Sequence, residues 1–121
     1  MKKRIFKALS TLLIGCSLFT IPASAGTWDK EYKDRDYGQK FDWYYKDDYG
    51  HYVNGWQYID NNWYWFDMSN VLFQNGWFNE GTGWYYANED GSMAHDCYKS
   101  GVWIDSNGHS SYYPEGRGRA Y

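Results

Sequence analysis

"NGWFNEGTGWYYANEDGSM", residues 75–93, sets Trp77, Phe78, Trp84, Tyr85 and Tyr86 among four glycines, with Ala87 and Met93 as its only other apolar side chains. Leu, Ile and Val normally fill a core, so rings at this density either replace that core or face something outside it. The residues just upstream carry the same landmarks. Gly55-Trp56 returns as Gly76-Trp77 and Trp63-Tyr64-Trp65 as Trp84-Tyr85-Tyr86, each 21 residues on, while Trp43-Tyr44-Tyr45 precedes Trp63 by 20. Seven residues after each leading tryptophan stands Gly50, Asn70 or Gly91, residue types that accept a left-handed backbone. A period near 20 with fixed internal landmarks indicates a repeat architecture.

Each unit reads as a β-hairpin. A tight turn at Asp60-Asn61 pairs Tyr58 with Trp63 and Trp56 with Trp65; one period later Gly81-Thr82 pairs Asn79 with Trp84 and Trp77 with Tyr86. Strand alternation then places Trp56, Tyr58, Trp63 and Trp65 on one face, with Tyr64 and Phe66 on the other. In the next unit Trp77, Trp84 and Tyr86 share a face and Tyr85 opposes them. A lone two-stranded hairpin is marginal in water, and stacking hairpins through their rings hides both faces. The expectation is an all-β solenoid of stacked β-hairpins, about two full and two partial repeats.

The N-terminus, "MKKRIFKALSTLLIGCSLFTIPASA", has the anatomy of a secretory signal peptide: Lys2, Lys3, Arg4 and Lys7, an apolar run from Ala8 to Ile21, and Ala23-Ser24-Ala25 before Gly26. "LIGC" at 13–16 also fits a lipoprotein processing site that would lipidate Cys16. Cleavage after Ala25 leaves 96 residues with Cys97 as the single thiol, so no internal disulfide forms. The leader holds four of the twelve basic residues and none of the fifteen acidic ones, which leaves a net charge of −7. That disfavours nucleic acid or an anionic membrane as partner and suits a cationic or neutral one. Beyond Gly26 the aliphatic inventory is Val53, Ile59, Val71, Leu72, Val102 and Ile104, against 26 aromatic residues. The rings must therefore supply the packing.

Organised by these landmarks, residues 1–25 are the leader, 26–53 an N-terminal cap with a partial repeat, 54–74 and 75–96 repeats, and 97–121 a shortened repeat with a tail. In "YKSGVWIDSNG" (98–108) Tyr98 takes the place of the first tryptophan and Trp103 the second. Ser110 to Tyr113 reads as a degenerate strand ahead of a basic tail expected to fray. The acidic loops "KDDYG", "FDMSN" and "NEDG" fit turn chemistry rather than a spaced calcium-ligand loop.

The pattern Gly-Trp, five to six residues, Trp-Tyr-aromatic, then Gly and Met resembles the cell-wall-binding repeats of Gram-positive surface proteins, of the choline-binding type. "NGWQYIDNNWYWFDMSNVLFQ" (54–74) and "NGWFNEGTGWYYANEDGSMAHD" (75–96) carry it, with "FDWYYKDDYGHYV" (41–53) and "YKSGVWIDSNG" as looser copies. The resemblance implies a left-handed hairpin solenoid with ligand sites between consecutive hairpins, where two tryptophans and an aromatic of the next repeat enclose a quaternary ammonium. Carried over, one site uses Trp56, Trp63 and Trp84 with Leu72 at the methionine position. A second begins with Trp77 and Trp84, near Met93, and needs Tyr98 or Trp103 as its further ring. A quaternary ammonium has no donor hydrogen, so electron-rich ring faces select it where hydrogen bonds cannot, at about 0.5–2 kcal/mol per contact. A sugar would stack its C–H face on the same rings, so the ligand is choline of teichoic acids or a cell-wall glycan.

No catalytic constellation is present. His51, His95 and His109 are scattered over different units, and Cys97 near His95 lacks an oxyanion motif. His95, Asp96 and Cys97 lack metal-ligand spacing. The chain is expected to be non-enzymatic, without cofactor or metal. It is expected outside the cell, held non-covalently on the wall, not inserted in the membrane after leader cleavage, with end-to-end self-association left open. A secreted effector that docks on surface carbohydrate is the competing reading, and a fragment with degenerate sites the third.

Overall fold

Asp60 and Asn61, with φ of 54° and 69°, close the turn on which the register of the central hairpin rests. Two consecutive left-handed residues match the twist of the flanking strands, which is why short polar side chains occupy this dipeptide. In a computed structural model that describes residues 26–38, 40–110 and the backbone of 118–120, strands β3 (Gly55–Ile59) and β4 (Asn62–Phe66) pair Trp56 with Trp65 and Tyr58 with Trp63, as expected. The leader, Gln39, residues 111–117 and Tyr121 lie outside the described residues, so the expected signal peptide and most of the strand at Ser110 to Tyr113 do too.

Four antiparallel hairpins follow one another: β1 (Thr27–Tyr32) with β2 (Phe41–Lys46), β3 with β4, β5 (Gly76–Asn79) with β6 (Trp84–Ala87), and β7 (Cys97–Lys99) with β8 (Val102–Ile104). The described secondary structure is all strand. The third hairpin pairs Trp77 with Tyr86 and Asn79 with Trp84, again as expected. Its connection is longer than a two-residue turn, however, with Gly81 and Gly83 at φ of 120° and 154° and Thr82 outside the left-handed region. The first hairpin, read from sequence as a cap, has a full ladder from Thr27–Lys46 to Tyr32–Phe41.

A second turn follows every hairpin. Gly50, Asn70, Gly91 and Gly108 all have φ between 68° and 88°. Each donates its N–H to the carbonyl three residues earlier, on Asp47, Asp67, Asn88 and Asp105. The acidic loop residues act here as turn acceptors. Asp47 Oδ1 receives the N–H of Tyr49 and His51, Asp67 Oδ1 those of Ser69 and Val71, and Asp105 Oδ1 those of Asn107 and His109.

The residue two after the left-handed position then bonds back to an earlier hairpin. Leu72 N–H reaches Trp43 O at 2.8 Å, Met93 N–H reaches Trp63 O at 2.8 Å, and Ser110 N–H reaches Trp84 O at 3.2 Å. These bonds stack hairpin on hairpin, and alternation sends the two faces of each hairpin to different cores. Tyr64, Phe66 and Ile59 pack back onto Trp28, Tyr45 and Leu72, while Trp65 packs forward onto Phe78, Tyr85 and Met93. Trp77 packs forward onto Ala94, Val102 and Ile104. The expected division of rings between faces thus becomes a division between successive seams. At the far end β9 (Gly118–Ala120) adds in parallel to β5, pairing Trp77 with Gly118. That corrects the expected fraying of the tail: β5 is an edge strand whose free N–H and C=O groups accept a further strand.

Candidate functional site

Between the second and third hairpins the rings leave a hollow of about 610 Å³. Trp56 and Trp63 form its corner, their ring centroids 6.3 Å apart and their planes at 83°. Tyr85 of β6 supplies a third wall, 4.8 Å from Trp56 at 66°, and buried Met93 lies among the lining residues. Strand pairing brings Trp56 and Trp63 to one face, and the Met93-to-Trp63 backbone bond sets Met93 beneath them.

A chain of polar contacts fixes these walls. Trp56 Nε1–H donates to Glu80 Oε2 at 3.1 Å, and Glu80 Oε1 accepts both the N–H and the hydroxyl of Thr82. The Thr82 hydroxyl lies 3.0 Å from the Tyr85 hydroxyl, which is 2.6 Å from His109 Nε2. Partial burial pushes the Glu80 carboxyl upward, but the bonds from Thr82 and Trp56 outweigh it and hold its pKa below the usual range. Burial raises the Tyr85 phenol, and pushes that of Tyr64 in the adjoining core up to about 12, so both remain neutral walls. His109, in the sequence only one of three scattered histidines, is an unforeseen part of this network. Its spacing in the sequence carries no signal for that contact.

The same construction recurs one hairpin earlier. Trp28 and Trp43 stand 6.4 Å apart at 78°, and Tyr64 lies 5.0 Å from Trp28 at 71°. Trp28 and Trp43 border a hollow of about 460 Å³ lined also by Leu72, Glu89 and Asp90. Lys30 Nζ lies 5.3 Å from the centroid of the Trp43 ring. The third seam lacks the third ring: Val102 stands where Tyr64 and Tyr85 stand, and Ser110 where Leu72 and Met93 stand.

The residues expected to form sites are therefore regrouped. Trp56 and Trp63 meet as expected, but Trp84 is not among the residues lining their hollow, because alternation points Tyr85 back toward Trp56 and Trp84 forward toward Trp77. Leu72 belongs to the Trp28–Trp43 seam and Met93 to the Trp56–Trp63 seam, each one hairpin earlier than expected. Tyr98 and Trp103 are exposed and pair with each other at 5.0 Å, on the face opposite Cys97, Val102 and Ile104. They do not meet Trp77 and Trp84. In register Trp103 pairs with Tyr98 as Tyr86 pairs with Trp77, so it stands for Tyr86 and not for a leading tryptophan. Among the described residues no three of His, Cys, Asp and Glu gather at a metal-binding distance.

Residues 54–67 and 75–93 match the cell wall binding repeat family, choline-binding type. These two segments resemble cell-wall-binding repeats. No curated protein sequence matches it significantly. Among solved structures, the choline binding domain of Spr1274 from Streptococcus pneumoniae is similar, at 28% identity and a TM-score of 0.55, over 59% of this chain and 86% of that domain. Choline binding protein F of Streptococcus pneumoniae, determined in the presence of a tetrasaccharide-pentapeptide peptidoglycan analogue, is 28% identical with a TM-score of 0.55, over 68% of this chain and 27% of that one. The multimodular pneumococcal cell wall endolysin from phage Cp-1, complexed with choline, shares the fold at 24% identity and a TM-score of 0.56 over 82% of this chain and 28% of its own. The chain thus spans most of the first relative but just over a quarter of the other two.

Proposed function

We propose that this chain is a secreted, non-catalytic wall-binding module that takes the quaternary ammonium of choline-bearing teichoic acid, or of a related wall polymer, in the Trp56–Trp63–Tyr85–Met93 hollow. The observation that carries the reading is the perpendicular indole corner with a third ring across it, open on one side and 49% exposed at Trp63. Ring faces attract a trimethylammonium that hydrogen bonds cannot address, and Met93 adds a polarizable surface. The Trp28–Trp43–Leu72 hollow repeats the corner and is the second site of the proposal. Contacts of about 0.5–2 kcal/mol per ring imply millimolar affinity for a single choline. Strength on a wall would come from both hollows engaging one polymer. The leader-like residues 1–25 support export, and the acidic mature charge supports a cationic partner.

The test is a thermal-shift titration with choline together with retention on a quaternary-amine resin. Ligand at about 100 times its Kd stabilises the folded state by roughly 2.7 kcal/mol, a clear rise in Tm. Trp63→Ala, at an exposed ring, should weaken the response while the chain stays folded. An unchanged Tm with no retention would reject the ammonium reading.

A further inference from the structure

The hollow at Trp56 and Trp63 is far larger than a trimethylammonium group needs, and much of its lining is of no use to one. Beside the three rings and Met93 it presents Asn61, Asn62, His95, Ser106 and Asn107. A quaternary ammonium offers no donor and no acceptor, so these amide, imidazole and hydroxyl groups cannot contribute to holding it. Among the described residues, the side chains of Asn61, Ser106 and Asn107 have no hydrogen-bond partner. The polar groups come from three places that the stack brings together: the tip of the second hairpin, His95 in the connection between the third and fourth, and the turn after the fourth. Next to them Tyr58 is 55% exposed, its ring 5.1 Å from that of Trp63 at 50°.

An exposed pair of rings flanked by amides is the chemistry that recognises a pyranose: C–H faces lie on the aromatics while hydroxyl or acetamido groups meet the polar edge. We infer that the hollow is bipartite, with a cation cage at Trp56, Trp63, Tyr85 and Met93 and an adjoining shelf, made by Tyr58, the outer face of Trp63, Asn61 and Asn107, that binds a neutral hydroxylated or N-acetylated sugar unit of the same polymer. The inference deepens the cage reading and shares Trp63 with it, but the shelf stands on its own residues. The contrast with the other hollow is consistent: there Glu89 and Asp90 occupy the positions of Ser106 and Asn107, and Lys30 the strand position of Tyr58, so that site has charges where this one has neutral amides.

The experiment uses the full chain and three probes, choline, N-acetylglucosamine and N,N′-diacetylchitobiose, read by NMR at the indole N–H groups and side-chain amides. The disaccharide should shift the Asn61 and Asn107 amides and the Trp63 indole, with saturating choline leaving its binding in place. Tyr58→Leu and Asn107→Ala, both at exposed positions, should each weaken disaccharide binding by roughly three- to tenfold and leave choline affinity within error. If choline fails to bind while the disaccharide still shifts these amides, the shelf holds and the cage reading falls. Absence of any sugar-dependent shift at these residues, strict competition between choline and sugar, or equal losses for both ligands in either variant would overturn the shelf.

Discussion

Gly50, Gly91 and Gly108 sit at the same place in successive turns, with φ of 82°, 88° and 83°. Alanine at any of them meets the left-handed penalty of about 1 kcal/mol. Their surroundings differ. A Cβ built on Gly50 meets nothing within 4 Å, one on Gly108 meets Met93 Cγ at 3.3 Å, and one on Gly91 meets Leu72 Cδ2 at 2.5 Å and Cγ at 2.9 Å. Leu72 is 3% exposed and enclosed by Trp28, Tyr45 and Phe66, so it has little room to turn aside, and overpacking of this kind adds roughly 1–3 kcal/mol. Gly50→Ala should therefore destabilise by about 1 kcal/mol, Gly91→Ala by about 2–4 kcal/mol, and Gly108→Ala by an amount between them. For a domain near this size each kcal/mol moves Tm by about 4–8 °C. Thermal melts followed by near-ultraviolet circular dichroism should rank the variants in that order, with Gly91→Ala at least about 8 °C below the parent. Equal drops for Gly50→Ala and Gly91→Ala would show that Leu72 does not pack against the turn of the next hairpin, and the stacking described here would be wrong.

Glu80→Ala removes the acceptor that holds the Trp56 indole and Thr82, and should cost about 1–2 kcal/mol in a melt while weakening choline binding; a variant with parental choline affinity would exclude Glu80 as a positioning residue. Glu80, Asp47 and Asp105 all have pKa values held down in the fold, the two aspartates chiefly by backbone N–H bonds. Their stabilisation is therefore present above the unfolded carboxylate range and lost as pH falls through the lower folded values, so Tm should decline below about pH 4, and less steeply in Glu80→Gln. An identical acid slope in that variant would remove Glu80 from the cause. Trp43→Ala should lower the choline stoichiometry from two to one per chain by calorimetry, and an unchanged stoichiometry would exclude the Trp28–Trp43 hollow.

The hairpin registers were legible because two-residue periodicity and a turn dipeptide fix both partners at once, as with Trp56–Trp65 and Tyr58–Trp63. So was the use of rings as core, since six aliphatic side chains could not fill one. The first hairpin was hidden by its connection: Trp28 and Trp43 are fifteen residues apart where Trp56 and Trp63 are seven, so the longer loop between β1 and β2 removes the period while the pairing persists. The membership of each hollow was obscured for another reason. Trp43 meets Leu72 and Trp63 meets Met93 through bonds spanning about a period and a half, and the direction in which hairpins stack decides whether Tyr85 or Trp84 faces Trp56. Alternation had already set those two rings on opposite faces, yet it does not say which face looks back.

The most direct measurement is a choline titration of the full chain followed at the indole N–H resonances. Trp56 and Trp63 should move together along one saturable curve, with Trp77, sealed in the third seam, stationary. Movement of Trp77 with Trp56 and Trp63 unmoved, or no saturable movement of any indole, would contradict the seam hollow as the binding site.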